Sequence, residues 1–177
     1  MCARSGPGRH HAYGLFCVAP DLDVNALELR IPPAAVALVV AAAMWYASSN
    51  CPLSIPVPFV ARAIAAAILV LLGAGIGIAG IIEFRRARTT VNPIRLDTAS
   101  ALVVSGIYRT SRNPMYLGML FALFGWATFL SDATAFIVAS VFAIYLNRFQ
   151  IAPEERVLSA LFGAEFADYK GRVRRWL

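Results

Sequence analysis

FVARAIAAAILVLLGAGIGIAGII, residues 59–82, decides how this chain folds. Gly75, Gly77 and Gly80 fit the GxGxxG pattern of a dinucleotide-binding turn. That fingerprint needs a strand before it and a helix after it, inside a βαβ unit. Here the glycines lie within an apolar run broken only by Arg62, with no alternation of strand and helix patterns around them. The run is long enough for a helix to cross a bilayer, which takes about 20 residues. With Gly73, the glycines make a small-residue face that lets a second helix approach closely. Arg62, near the start of the run, has a stem that can carry its charge to the interface.

The rest of the chain follows the same reading. Of 177 residues, 59% are hydrophobic and 15% charged, and the mean hydropathy is +0.67. A soluble domain carries about 25% charged residues. Three further apolar segments occur, at 31–49, 115–130 and 133–151. The last two are joined only by Ser131 and Asp132, which makes them an antiparallel hairpin. The expected fold is all-α: a polytopic membrane bundle of about four transmembrane helices, followed by a C-terminal amphipathic interfacial helix. Three sections are expected: a polar extension over 1–30, two transmembrane helices over 31–82, and a functional core over 83–177. Tyr13–Ala19 is short for a signal sequence and lacks a clean cleavage site.

Charge placement orients the bundle. The net charge is +6, but 12 of the 16 Lys/Arg lie in two segments, 83–112 and 148–177, that flank apolar runs. The connection over 48–57 has no charge and reads as a tight, proline-rich outer turn. The positive-inside rule therefore places 83–112 and both termini in the cytoplasm. No nucleic-acid-binding pattern accompanies the basic residues. Cys2, Cys17 and Cys51 have no metal-ligand or disulfide spacing and read as free thiols. His10-His11 lacks partnering Cys or carboxylates, so no metal site is expected.

Two constellations carry the chemistry. The first is RTSRNPMYLG, residues 109–118. Pro114 suits the first position of a helix, where its missing N–H costs nothing. Asn113 then falls at the N-cap. The helix N-terminus offers unpaired N–H groups and a positive dipole, an anion site reinforced by Arg109 and Arg112. Topology plus capping explains the same residues, and the stretch alone leaves both readings open. The second constellation is Glu154-Glu155 behind Pro153, where acids favour a helix start. From there Leu158, Leu161, Phe162, Phe166 and Tyr169 recur at helical spacing, an amphipathic helix. The hairpin leaves the membrane surface at 114 and returns at about 151, so Asn113 and Glu154 should flank its base. A capped helix with a surface salt bridge would satisfy the same pattern.

TTVNPIRLDTASALVVSGIYRTSRNPMYLG, followed after one hairpin by EERVLSALFGAEFADYK, resembles the isoprenylcysteine carboxyl methyltransferase family, a group that extends to phospholipid methyltransferases. The likeness covers about residues 83–170. It implies an integral membrane enzyme using S-adenosylmethionine, held at the cytoplasmic end of the last helices. Carried over by position, Ser100, Ala101, Leu102 and Val103 would give backbone and wall contacts to the cofactor, and Tyr108 would line its pocket. Asn113, Pro114, Met115 and Tyr116 match the family's His-Pro-x-Tyr, and Glu154 would hold the cofactor's polar groups. Arg148 and Gln150 stand where substrate contacts are expected, and Arg148 is the residue assigned to the reaction. Family members acting on prenylated cysteine have His where this chain has Asn113, which can cap and hydrogen-bond but cannot take a proton.

The resemblance further implies direct methyl transfer to a lipophilic small molecule or lipid, on a carboxylate or head group. The protein's task is then alignment and exclusion of water. Tyr108, Tyr116 and Phe149 could cover the adenine or face the sulfonium with their rings. The expected setting is a bacterial inner membrane with the active site cytoplasmic, no nucleic acid and no obligate protein partner. Other classes compatible with the sequence are an NADPH-dependent membrane reductase like the sterol reductases, and a non-catalytic membrane protein.

Overall fold

The computed structural model describes residues 31–87 and 102–177. Residues 1–30, His10 and His11 among them, and the connection holding Ser100 and Ala101 lie outside the described residues. The described elements are α1 (Pro33–Asn50), α2 (Phe59–Arg86), a 3-10 turn (Gly106–Arg109), α3 (Pro114–Leu130), α4 (Ala133–Leu146), a π turn (Asn147–Ile151) and α5 (Ala152–Arg172). The fold is all-α. β-type pairing among the described residues is limited to an isolated antiparallel bridge between Ser54 and Asp132.

Among the described residues, three helical runs are long and apolar enough to cross a membrane: α1, α2, and the continuous run of 40 residues from α4 into α5. α3 has 17 residues, roughly 26 Å at about 1.5 Å per residue. That is slightly less than a hydrocarbon core of about 30 Å. Pro114 starts α3 and Ser131, in the left-handed region at φ 56°, stops it.

α3 is the central helix. At about 100° per residue, Tyr116, Leu123 and Ala127 share one face, and Gly118 and Gly125 the opposite one. The first face joins Met44 of α1 and Ala135, Ala139, Phe142 and Leu146 of α4 in the main core. The second face takes α2. A Cβ on Gly73 would stand 2.5 Å from the Gly118 carbonyl oxygen, and one on Gly125 would stand 3.0 Å from that of Ala66. The backbones touch because the side chains are missing, the packing that membranes favour where no hydrophobic force separates helix from lipid. GIGIAG is thus a stretch of helix, as expected, but its glycines differ in use. Gly80 faces Pro114 and Met115, whereas a Cβ on Gly75 or Gly77 would meet nothing within 4 Å. Consecutive helices α1 and α2 lie on opposite faces of α3. Trp126 ties α1 to α3 by donating Nε1–H to the Ala41 carbonyl at 3.1 Å.

The α1–α2 and α3–α4 connections pair with each other. Ile55 N–H donates to Ser131 O at 2.8 Å and Ala133 N–H to Leu53 O at 3.0 Å. Asp132 caps α4 through Thr134 N–H at 2.9 Å.

Pro153 does not begin a separate helix. Leu146 and Asn147 before the π turn, and Ile151 and Ala152 at its end, all have helical dihedrals, and the turn continues directly into α5. Pro153 lacks an N–H, and the wider π turn just before it leaves room for the ring without breaking the helix. The break falls later, at Gly163 (φ 50°, ψ −119°). Beyond it Phe166 and Tyr169 are buried with Val173, and Leu102, Leu158 and Phe162 pack around them. Leu161, expected on this apolar stripe, is 40% exposed.

Candidate active site at the base of the helical hairpin

The two sequence constellations meet at one end of the bundle. Tyr116, in the first turn of α3, donates its hydroxyl to the Glu154 carboxylate. Both side chains are buried. Beside them, the Arg112 guanidinium pairs with Glu155 at 3.2 Å, and each side chain is only 12% exposed. The ion pair is therefore interior, unlike the surface bridge that the pattern alone allowed. Burying an arginine is costly unless its donors are satisfied. Arg112 Nε and Nη1 are nevertheless buried without a hydrogen-bond partner.

Tyr108 closes the other side. Its ring meets Phe84 of α2 edge-on at 5.4 Å, and its carbonyl accepts the Tyr169 hydroxyl at 2.7 Å. Burial first, and then neighbouring Tyr169 and Glu154, hold the Tyr108 phenol protonated well above its ordinary range. It can donate and shield, but it cannot serve as a base near neutral pH. The turn before it is fixed from below: Glu83 accepts from the Ser105 hydroxyl and pairs with Arg86 at 3.1 Å. Gly106 (φ 55°) is needed here, since a Cβ would stand 2.5 Å from the Glu83 carboxyl carbon.

Asn113 stands at the N-cap of α3, but its side chain makes no capping bond. Its Nδ2 instead donates to the Arg175 carbonyl at 2.9 Å, and Ser111 Oγ accepts from the Asn113 amide at 3.2 Å. Pro114 and Tyr116 are buried against the core and Met115 is half-buried beside Gly80. Val103 is buried and Leu102 half-buried near α5.

Arg148 and Gln150, read as substrate contacts, fall on different faces of the π turn. Arg148 is exposed, with its guanidinium 5.8 Å from the Phe149 ring centre. Gln150 is 1% exposed. Its Nε2 donates to Ile31 O at 2.9 Å, and its Oε1 is buried with no hydrogen-bond partner. Arg109 is exposed.

Sequence reading passed over Asn147 and Arg175. Tyr169 was noticed only as one apolar position. Arg175 lies among basic residues that a topology rule fully explains, so nothing marked it as a partner of Glu155.

The long apolar helices point to a membrane protein, and comparison with known proteins gives its family. The chain belongs to the phospholipid methyltransferase family, which matches residues 61–165, more than half its length. Protein-S-isoprenylcysteine O-methyltransferase B of Arabidopsis thaliana is 32% identical over 108 residues, covering 59% of this chain and 53% of that protein. Methanethiol S-methyltransferase 1 of Bradyrhizobium diazoefficiens is 42% identical over 67 residues, 38% of this chain and 22% of that protein. An uncharacterized protein of Haemophilus influenzae is 43% identical over 63 residues, 36% of this chain and 100% of that protein. The chain thus spans about half the length of the Arabidopsis relative and less than a quarter of the Bradyrhizobium one. No solved structure matches it.

Proposed function

We propose that this chain is an integral membrane methyltransferase that uses S-adenosylmethionine to methylate a lipophilic acceptor. One observation carries the reading: a buried Glu154 carboxylate is held by Tyr116, and the adjacent Glu155 pairs with a largely buried Arg112 that keeps two donors unpartnered. The site combines an acid, a cation with spare N–H groups and an aromatic wall. A zwitterionic amino acid joined to a nucleoside presents the complementary set.

Arg112 and the first turn of α3 suit the carboxylate of such a ligand. Glu154 suits its ammonium or a ribose hydroxyl. The Tyr108 and Phe84 rings offer apolar faces to a base or a sulfonium. S-adenosylmethionine, when bound, supplies a methyl group already activated by the sulfonium. What remains for the protein is to bind, to orient and to exclude water.

An acceptor that is ionised near neutral pH, such as a carboxylate, fits best. It needs no base, and the chain's two histidines are both at 10–11, far in sequence from the site. Asn113 cannot take a proton in their place. The relatives' names support methyl transfer to oxygen or sulfur in those proteins. Arg148, exposed on the π turn, can orient an anionic head group arriving from the bilayer.

Calorimetric titration of the detergent-purified chain tests the reading. Saturable S-adenosylmethionine binding, lost in Glu154→Ala, is expected. Binding of NADPH alone would transfer the assignment to a reductase, and binding of neither would leave a capped structural hairpin.

A further inference from the structure

Residues 173–177 fold back over the start of α3. The Arg174 carbonyl accepts the Arg112 amide at 3.1 Å, and the Arg175 carbonyl accepts Asn113 Nδ2 at 2.9 Å. The Arg175 side chain reaches the other way. Its Nε donates to Glu155 Oε1 at 3.1 Å and its Nη2 to Glu155 Oε2 at 2.7 Å. Its Nη1 stands 3.4 Å from Asn147 Oδ1 on the π turn, an oxygen that Trp176 Nε1 also approaches at 3.3 Å.

We infer that Arg175 is a positioning residue of the site: by occupying both oxygens of Glu155, it keeps Arg112 free to receive an anionic group. The inference rests on the functional reading above and extends it to a residue that touches no ligand.

The argument is one of competition. Glu155 has two oxygens and two arginines beside it. Arg175 takes both oxygens in the side-by-side geometry that makes such pairs strong. Arg112 is left with a single contact, Nη2 to Oε1 at 3.2 Å, and its Nε and Nη1 remain buried and unpartnered. Two buried donors without partners are expensive, so Arg112 would gain by turning fully onto Glu155. With Arg175 in place, Glu155 is already committed. Without it, Arg112 and Glu155 can close on each other, and the anion site disappears without the fold being lost. Asn147 holds Arg175 in this role, which links the π turn to the same network.

A ligand that lacks the anion separates this role from ordinary support. The full-length, detergent-purified protein is titrated with S-adenosylmethionine and with its decarboxylated analogue, and melting is followed in parallel. Arg175→Gln is expected to weaken S-adenosylmethionine binding about tenfold, the scale of one strong contact. It should leave the Kd for the decarboxylated analogue within about twofold and Tm nearly unchanged. Arg175→Lys, which keeps the charge but not the paired geometry, should fall between, and it carries the same comparison if Arg175→Gln does not fold. Equal weakening of both ligands, or no change in either, overturns the inference while leaving the cofactor assignment standing. A wild-type chain that binds no S-adenosylmethionine sinks the functional reading, and the role of Arg175 with it.

Discussion

Glu154 and Tyr116 show how much a buried hydrogen bond can reveal. A carboxylate is rarely left inside a protein without a partner or a task. Glu154→Gln keeps the size and one acceptor but removes the charge. S-adenosylmethionine binding should therefore fall by more than tenfold in calorimetry, while Tm changes little. Wild-type affinity in this variant would sink the assignment. Arg148→Ala should raise KM for an anionic acceptor and leave cofactor Kd alone, because Arg148 lies exposed on the π turn. Position along the chain was enough to name Asn113, Tyr116 and Glu154. It could not say that Asn113 reaches a carbonyl 62 residues away rather than capping its own helix. Capping is a local rule, and here a tertiary partner outcompetes it.

At the scale of elements, the α2–α3 contact is the most demanding joint. Gly73→Val would drive a side chain into the Gly118 carbonyl. Overpacking of this kind costs about 1–3 kcal/mol, visible as a lower Tm, whereas Gly75→Val, facing open space, should be neutral. Equal effects from the two would show that the face is misassigned. The hairpin has its own latch. Asp132→Ala removes the N-cap of α4, worth about 1 kcal/mol. The Thr134 hydroxyl, and then its amide, hold the Asp132 carboxylate below its ordinary value of 3.8. A lowered folded pKa contributes stability above the unfolded value and loses it as pH falls through the folded one. The advantage of wild type over Asp132→Ala should therefore be full at neutral pH and shrink below about pH 4. A gap that does not change with pH would exclude the charge. The glycine face was visible in the sequence because small residues inside an apolar run have few other uses. Which glycines are in contact was not, since that depends on the facing of a second helix. The passage through Pro153 was also hidden: proline near two acids normally marks a helix start, and only the π turn makes room for it.

For the whole molecule, the alternating directions of α1 to α4 bring the starts of α1 and α3 and the ends of α2 and the π turn to the same end. Cys51, exposed at the other end, gives a test of orientation. With Cys2 and Cys17 replaced by serine, an impermeant maleimide should label Cys51 on intact cells. Arg109→Cys should label only after permeabilisation. The reverse pattern would invert the bundle. Hydropathy was sufficient for the class of fold, because an apolar segment long enough to span must satisfy its backbone internally, as a helix does, whereas charge placement gives only an expected orientation. The resemblance carried by the two motif stretches was sufficient for the family. Neither could arrange the helices about α3, set Arg148 and Gln150 on different faces, or bring Arg175 onto Glu155. Those outcomes depend on which side chains meet across long separations, and packing settles that only when the whole chain is in place.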